Sequence, residues 1–236
     1  MAGIVRYNTV GNLSSFLDSP DPIYGTGADG DATLDGISTV LGMIPVTNVY
    51  SMTSDLYFDD LTINNGVRLA PNGYRIFVKN TLSLGTNSII GFQAGYASAG
   101  SIAQGGAINT AVTNSLGGAS LTQVVTAPIA GLGGSKYYQI PHQAILGYSV
   151  SASNTTPTFL RGGAGGLLQP GGGIVILAAR YISGPATGNA YIKAPATAPA
   201  GGGVILIVSS ASSLPGNVLT DVTGQNPGTV NYMQLV

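Results

Sequence analysis

The chain has 236 residues, a formal net charge of −1 and 7% charged residues, against about 25% in ordinary soluble domains. Its eight basic residues are scattered rather than clustered, which excludes a phosphate-binding patch and with it nucleic acid as a partner. It has no cysteine, so disulfides and thiolate metal sites are excluded too.

The remaining composition points to strands. The chain holds 36 glycines and 13 prolines, yet 44% of its residues are hydrophobic. Disordered chains combine low hydrophobicity with high charge, and this one has neither. Lys and Arg are few and Glu is absent, all nine acids being aspartate. Helix formers are therefore scarce, and the composition predicts an all-β protein with many turns. At this charge density a free monomer is poorly soluble, which favours a place within an assembly.

Residues 1–50 carry little regular pattern and read as an N-terminal arm or docking segment. Asp18-Ser19-Pro20-Asp21-Pro22 predicts a turn or extended stretch, because each proline biases its predecessor away from helix. Residues 37–50 are mostly apolar and predict a strand pair broken at Pro45. Met1 to Arg6 lacks the basic start and apolar run of a secretory signal. No stretch of the chain reaches the roughly 18 apolar residues of a membrane span, so no membrane partner is expected.

Residues 51–93 give the cleanest alternation. Leu61-Thr62-Ile63 is followed by the turn Asn64-Asn65-Gly66, then by Val67-Arg68-Leu69 and the turn Ala70-Pro71-Asn72-Gly73. Tyr74 to Lys79 alternates again and leads to Leu82-Ser83-Leu84. Asn-Gly is a strong turn signal because both residues tolerate positive φ. Leu61-Thr62-Ile63 echoes in Leu82-Ser83-Leu84, and the turns that follow also align. Short strands, short turns and a period near 20 residues predict the rungs of a β-solenoid. An antiparallel meander is the alternative, but it has no reason for the echo.

Residues 94–158 are rich in Ala, Ser, Thr, Gly and Asn and read as a loop-rich insertion. Its one dense aromatic and polar cluster runs from Lys136 to His142. From 159 to 236 strands return, as glycine-rich rungs. Gly171-Gly172-Gly173 opens the run Ile174 to Arg180, and Gly201-Gly202-Gly203 opens Val204 to Ser210. Side chains alternate between the two faces of a strand, so Ile174, Ile176 and Ala178 point one way and Val175, Leu177 and Ala179 the other. Both faces are apolar, as in strands buried on both sides. One face is expected to fill the interior and the other to meet a neighbour. Val175, Leu177, Ile205 and Ile207 are taken as the interface residues.

Tyr57 to Val67, then Asn72 to Val78, resembles a block found in structural proteins of tailed bacteriophages. There it precedes glycine-rich runs that end in three glycines and an apolar strand, as Gly171 to Arg180 and Gly201 to Ser210 do here. Gly27 to Leu34 is similar to the Asp/Gly-rich lead-in of the same proteins. The resemblance implies a non-enzymatic virion structural protein on the outer surface of the particle, as a capsid decoration or head-fibre component. Its implied partners are other copies of itself, with a homotrimer expected, and the major capsid or other virion proteins, with residues 1–50 docking on the capsid. Two alternatives stay open: a tail-fibre or receptor-binding adhesin touching host surface glycans through 94–158, and a solenoid polysaccharide-degrading enzyme.

Candidate chemistry is sparse, and no catalytic residue or cofactor is expected. His142 is the one histidine, and nothing marks the nucleophile and acid that a triad needs. Asp59-Asp60 is the one adjacent carboxylate pair, but consecutive strand residues diverge. Asp29, Asp31 and Asp35 are candidate oxygen ligands for Ca²⁺, without the spacing or closing Glu of an EF-hand. Tyr137, Tyr138 and His142 are candidate ligand contacts, since tyrosine suits a sugar ring or a protein interface.

Overall fold

The computed structural model describes residues 21–72, 74–91, 135–136, 160–161, 172–196 and 201–235. A single helical turn, α1 (Asp21–Tyr24), precedes β1 (Gly30–Leu34), β2 (Val49–Ser51), β3 (Leu56–Ile63), β4 (Arg68–Ala70), β5 (Arg75–Leu84) and β6 (Ile89–Gly91). Then come β7 (Ser135–Lys136), β8 (Leu160–Arg161), β9 (Ile174–Ser183), β10 (Ala190–Lys193), β11 (Val204–Ser209), β12 (Val218–Asp221) and β13 (Thr229–Gln234). The sequence predicted a turn or extended chain where α1 forms. The local reason is that Pro22 occupies the first turn, where its missing N–H costs nothing.

Apart from the antiparallel pair β7–β8, the strands form two parallel sheets. Sheet 1 has the order β1-β3-β5-β9-β11-β13, and sheet 2 the order β2-β4-β6-β10-β12. The chain thus passes from one sheet to the other and back, adding one strand to each in turn. The echoes noticed in the sequence are ladder partners. Leu61, Thr62 and Ile63 lie beside Leu82, Ser83 and Leu84, and Ile174 to Ala178 lie beside Val204 to Val208. Because these pairs are parallel, the antiparallel meander does not occur in either sheet.

Two strands expected within an N-terminal arm belong to the sheets instead. β1 pairs with β3 and β2 with β4, so the two sheets already begin within this segment. The sequence obscured this because β1, Gly-Asp-Ala-Thr-Leu, carries just one large apolar side chain, Leu34, and β2 spans three residues. Residues 92–173 join β6 to β9, yet β5 pairs directly with β9. The long connection therefore leaves the ladder unbroken. The expected insertion, 94–158, lies outside the described residues save for β7.

The main core lies between the sheets. It takes Phe58, Leu61, Ile76, Val78, Leu82, Val175 and Leu177 from sheet 1, and Tyr50, Leu69, Ile90 and Ile192 from sheet 2. A second cluster covers the outer face of sheet 1. It joins Phe77, Ile174, Ile176, Val204 and Leu206 with Tyr24 of α1. The Tyr24 hydroxyl donates to the Leu235 carbonyl at 3.5 Å, and the Tyr57 and Phe77 rings stack with centroids 4.7 Å apart. The alternation in the GGG strands thus separates two apolar clusters. This chain's own helix supplies part of the cover on the outer one.

Sheet 1 carries a line of register slips. Its register slips between Gly30 and Ala32 in β1, Phe58 and Leu61 in β3, and Val78 and Thr81 in β5. The slips lie side by side and form a column of β-bulges, which bend a strand and free backbone amides. Asp31, Asp59, Asp60, Lys79 and Arg180 occupy that column. It concentrates charge in a chain with little to spend.

Candidate functional site

The aspartates show what the scaffold does with its chemistry. Neighbouring strands are about 4.8 Å apart, a gap that a short carboxylate spans. Asp29 Oδ2 accepts the Tyr57 amide at 2.6 Å, and Asp31 Oδ1 the Asp60 amide at 3.2 Å. Asp55 Oδ1 accepts the Arg75 amide at 2.7 Å, and Asp60 Oδ1 the Thr81 amide at 2.9 Å. Asp31 and Asp60 thus reach from within one strand of sheet 1 toward the next, and Asp29 and Asp55 do so from the residue just before a strand. The remaining carboxylate oxygen of Asp55 also takes the Arg75 guanidinium. Asp59 Oδ1 lies 3.5 Å from Lys79 Nζ, and Asp221 Oδ2 lies 3.8 Å from Lys193 Nζ. Three of these four amide contacts are part-buried and the Asp31 one is exposed, and a short carboxylate is what reaches an amide across so narrow a gap.

This accounting separates the sequence-derived candidates. Asp29 and Asp31 are engaged by amides of β3, while Asp35 organises a different loop. Among the described residues no three acids or histidines converge as a metal site would require. Asp59 and Asp60 take different partners across the bulge, so they do not face one substrate position. Tyr137, Tyr138 and His142 lie outside the described residues. Val175, Leu177, Ile205 and Ile207 are fully buried in the core between the sheets. Sheet 2 of the same chain covers them, which places them inside the protomer rather than at a contact with a second copy.

One surface stands apart. The loop 35–48 joins β1 to β2, the outermost strands at one end of the two sheets. Ile37 is 84% exposed, Ile44 72%, Val46 68% and Leu41 45%. The loop is nevertheless firmly built. Asp35 Oδ1 accepts the amides of Ile37 and Ser38, both at 2.7 Å, and Oδ2 accepts the Ser38 hydroxyl at 2.6 Å. The Tyr50 hydroxyl lies 3.0 Å from Asp35 Oδ1 and 2.8 Å from the Ser38 carbonyl, and accepts the Gly36 amide at 3.1 Å. The Ser38 hydroxyl first, then the Ser38 and Ile37 amides, hold the Asp35 carboxyl well below the usual carboxylate range. Burial and the Asp35 carboxylate push the Tyr50 phenol above its ordinary value.

Two tight turns complete the loop. Val40 pairs with Met43 and Val46 with Val49 as isolated antiparallel bridges. Between the partners the backbone is left-handed, with φ of 48° at Leu41, 77° at Gly42, 50° at Thr47 and 61° at Asn48. Leu and the β-branched Thr rarely adopt such angles. Met43 is buried and anchors the loop in the main core, with Val40 packed beside it. The strand pair expected over 37–50 is thus two successive turns. The exposed set escaped the sequence reading because an apolar run looks the same whether it fills a core or leaves it. The legible signal was the absence of any charge from Gly36 to Ser54.

Among the described residues no helix is long and apolar enough to cross a membrane. Comparison with protein families, curated proteins and solved structures gives no match.

Proposed function

We propose that the alternating strands are the rungs of a β-solenoid. On this reading the chain is a non-enzymatic structural protein on the outer surface of a tailed-phage particle, in a capsid decoration or head-fibre role. The observation that carries it is the disposition of charge. Asp29, Asp31, Asp55 and Asp60 hold backbone amides across sheet 1, and Asp59 and Asp221 pair with lysines. A solenoid lyase or hydrolase uses free carboxylates or a carboxylate with a basic partner. Asp29, Asp31, Asp55 and Asp60 are thereby committed to the scaffold, and the Asp59–Lys79 and Asp221–Lys193 pairs lie on different sheets. Among the described residues no three acids or histidines converge, and the exposed loop at the scaffold's end is largely apolar. Contacts with other virion proteins then rest on apolar burial and backbone pairing, since charge is too scarce to supply them.

Quantitative measurement of copy number per particle tests the reading. Hundreds of copies fit a capsid lattice, whereas a handful would move the protein to the tail and favour the glycan-binding alternative. Incubation of the purified chain with host polysaccharide gives the second arm. New reducing or unsaturated ends would overturn the non-enzymatic assignment.

A further inference from the structure

The exposed large apolar side chains are not spread over the scaffold. Among the described residues, all but Tyr181 lie at its two ends. Ile37, Leu41, Ile44 and Val46 project from the loop between β1 and β2. Leu219, 40% exposed, and Val230, 38% exposed, lie on β12 and β13, the outermost strands at the opposite end. Tyr181, on a flank, has the Arg180 guanidinium 5.7 Å from its ring centroid.

The two ends differ in kind. The β1 end is guarded by a bulge, by Asp31 and by a rigid loop that raises apolar side chains above it. β13 pairs with β11 without a register shift. Thr-Val-Asn-Tyr-Met-Gln carries no charge, proline or glycine, the usual devices that keep a strand edge from pairing. Among the described residues β13 has a strand partner on one side only, β11. Along that edge Val230 and Tyr232 continue the columns of Ile205 and Ile207, which fill the main core. The core thus opens outward at one end, and an apolar loop stands out at the other.

We infer that the partner for both ends is a second copy of this chain, stacked head to tail, with the 35–48 loop of one copy seated on the β12–β13 end of the next. The protein supplies both halves of the contact on one axis. Charge is scarce on both halves. In the loop the one charged residue is Asp35, whose carboxylate is taken up by Ile37 and Ser38, and at the far end Asp221 of β12 pairs with Lys193 while β13 carries no charge. The loop is already fixed by the Asp35–Ser38–Tyr50 hydrogen bonds, so docking carries little ordering cost. A contact between unlike surfaces is heterologous and generates open-ended stacks or rings rather than a two-fold dimer. The inference rests on the sheet topology and holds or fails independently of the virion reading.

Sedimentation velocity on the purified full chain tests it, with Ile44→Asp spoiling one end and Val230→Lys the other. The wild type is expected to show a weight-average mass that rises with concentration and does not fall with added salt. Each variant alone is expected to run as a monomer. An equimolar mixture should give a 1:1 dimer and stop there, because it contains one intact loop end and one intact β13 end that can meet. Circular dichroism confirms folding, and Ile37→Asp and Leu219→Lys serve as second variants at each end. A wild type of constant monomer mass overturns the inference. So does a dimer that survives in either single variant, or a closed oligomer indifferent to both.

Discussion

Replacing Gly203 by alanine tests one of the close joints of the scaffold. A methyl group built on Gly203 overlaps the Gly173 carbonyl oxygen, and comes 2.7 Å from the Gly172 carbonyl carbon and 2.9 Å from the Ala194 Cβ. Carbon atoms prefer about 3.5–4.0 Å, so the backbones must part by roughly 1 Å. Three hydrogen bonds converge there. The Gly203 amide donates to the Ala194 carbonyl at 2.7 Å, the Val204 amide to the Gly173 carbonyl at 3.0 Å, and the Thr229 amide to the Gly203 carbonyl at 3.0 Å. Losing two of them, at about 1–3 kcal/mol for each buried group left unmade, gives about 2–6 kcal/mol. The smaller unfolded-state entropy of alanine offsets about 0.4–1 kcal/mol of this. Urea denaturation measures the difference, with Gly216→Ala as the control. A methyl group at Gly216 meets nothing within 4 Å, so that variant should stay within about 1 kcal/mol of the wild type. If Gly203→Ala does the same, the close approach of the glycine-led turns is not what sets their sequence.

Other outcomes follow from the same structure. Leu177→Ala should cost about 2–5 kcal/mol in denaturation, because Leu177 is fully buried between the sheets and its loss leaves a cavity. Replacing residues 92–170 by a short Gly/Asn turn should leave the circular dichroism of the sheets intact. It should add about 2 kcal/mol of stability from a roughly tenfold shorter connection, since β5 and β9 pair without it. Loss of cooperative unfolding would show that the long connection holds the sheets together. The Asp35 carboxyl is held below its unfolded value, so its contribution is complete above the ordinary carboxylate pKa near 3.9 and is lost as pH falls through the lowered folded value. NMR of the Ile37 and Ser38 amides should therefore show no change from neutral pH to about pH 4, and a transition only in stronger acid. A transition at ordinary carboxylate pH would mean that those amides do not hold the charge.

The sequence alone disclosed the strand-rich character and two of the neighbouring strand pairs. Leu61-Thr62-Ile63 and Leu82-Ser83-Leu84 were recognisable as neighbours because strands in a parallel stack share a column and so need similar side chains. The GGG strands disclosed their two apolar faces through simple alternation. What they could not disclose is which face turns inward. Val175, Leu177, Ile205 and Ile207 fill the space between the sheets, while Ile174, Ile176 and their partners lie outside with Tyr24 of α1 against them. Both sets are hydrophobic, so the difference is decided by what packs on them, and sheet 2 and α1 come from distant parts of the chain. The aspartates were visible as residues but not as bonds. The roles of Asp31, Asp59 and Asp60 depend on the aligned bulges of β1, β3 and β5, which come from pairing rather than composition. The exposed loop is the clearest case. Its apolar run was legible, but its position outside the core follows from two left-handed turns and the Asp35–Tyr50 hydrogen bonds, contacts that exist once β1 and β2 have taken their places in different sheets.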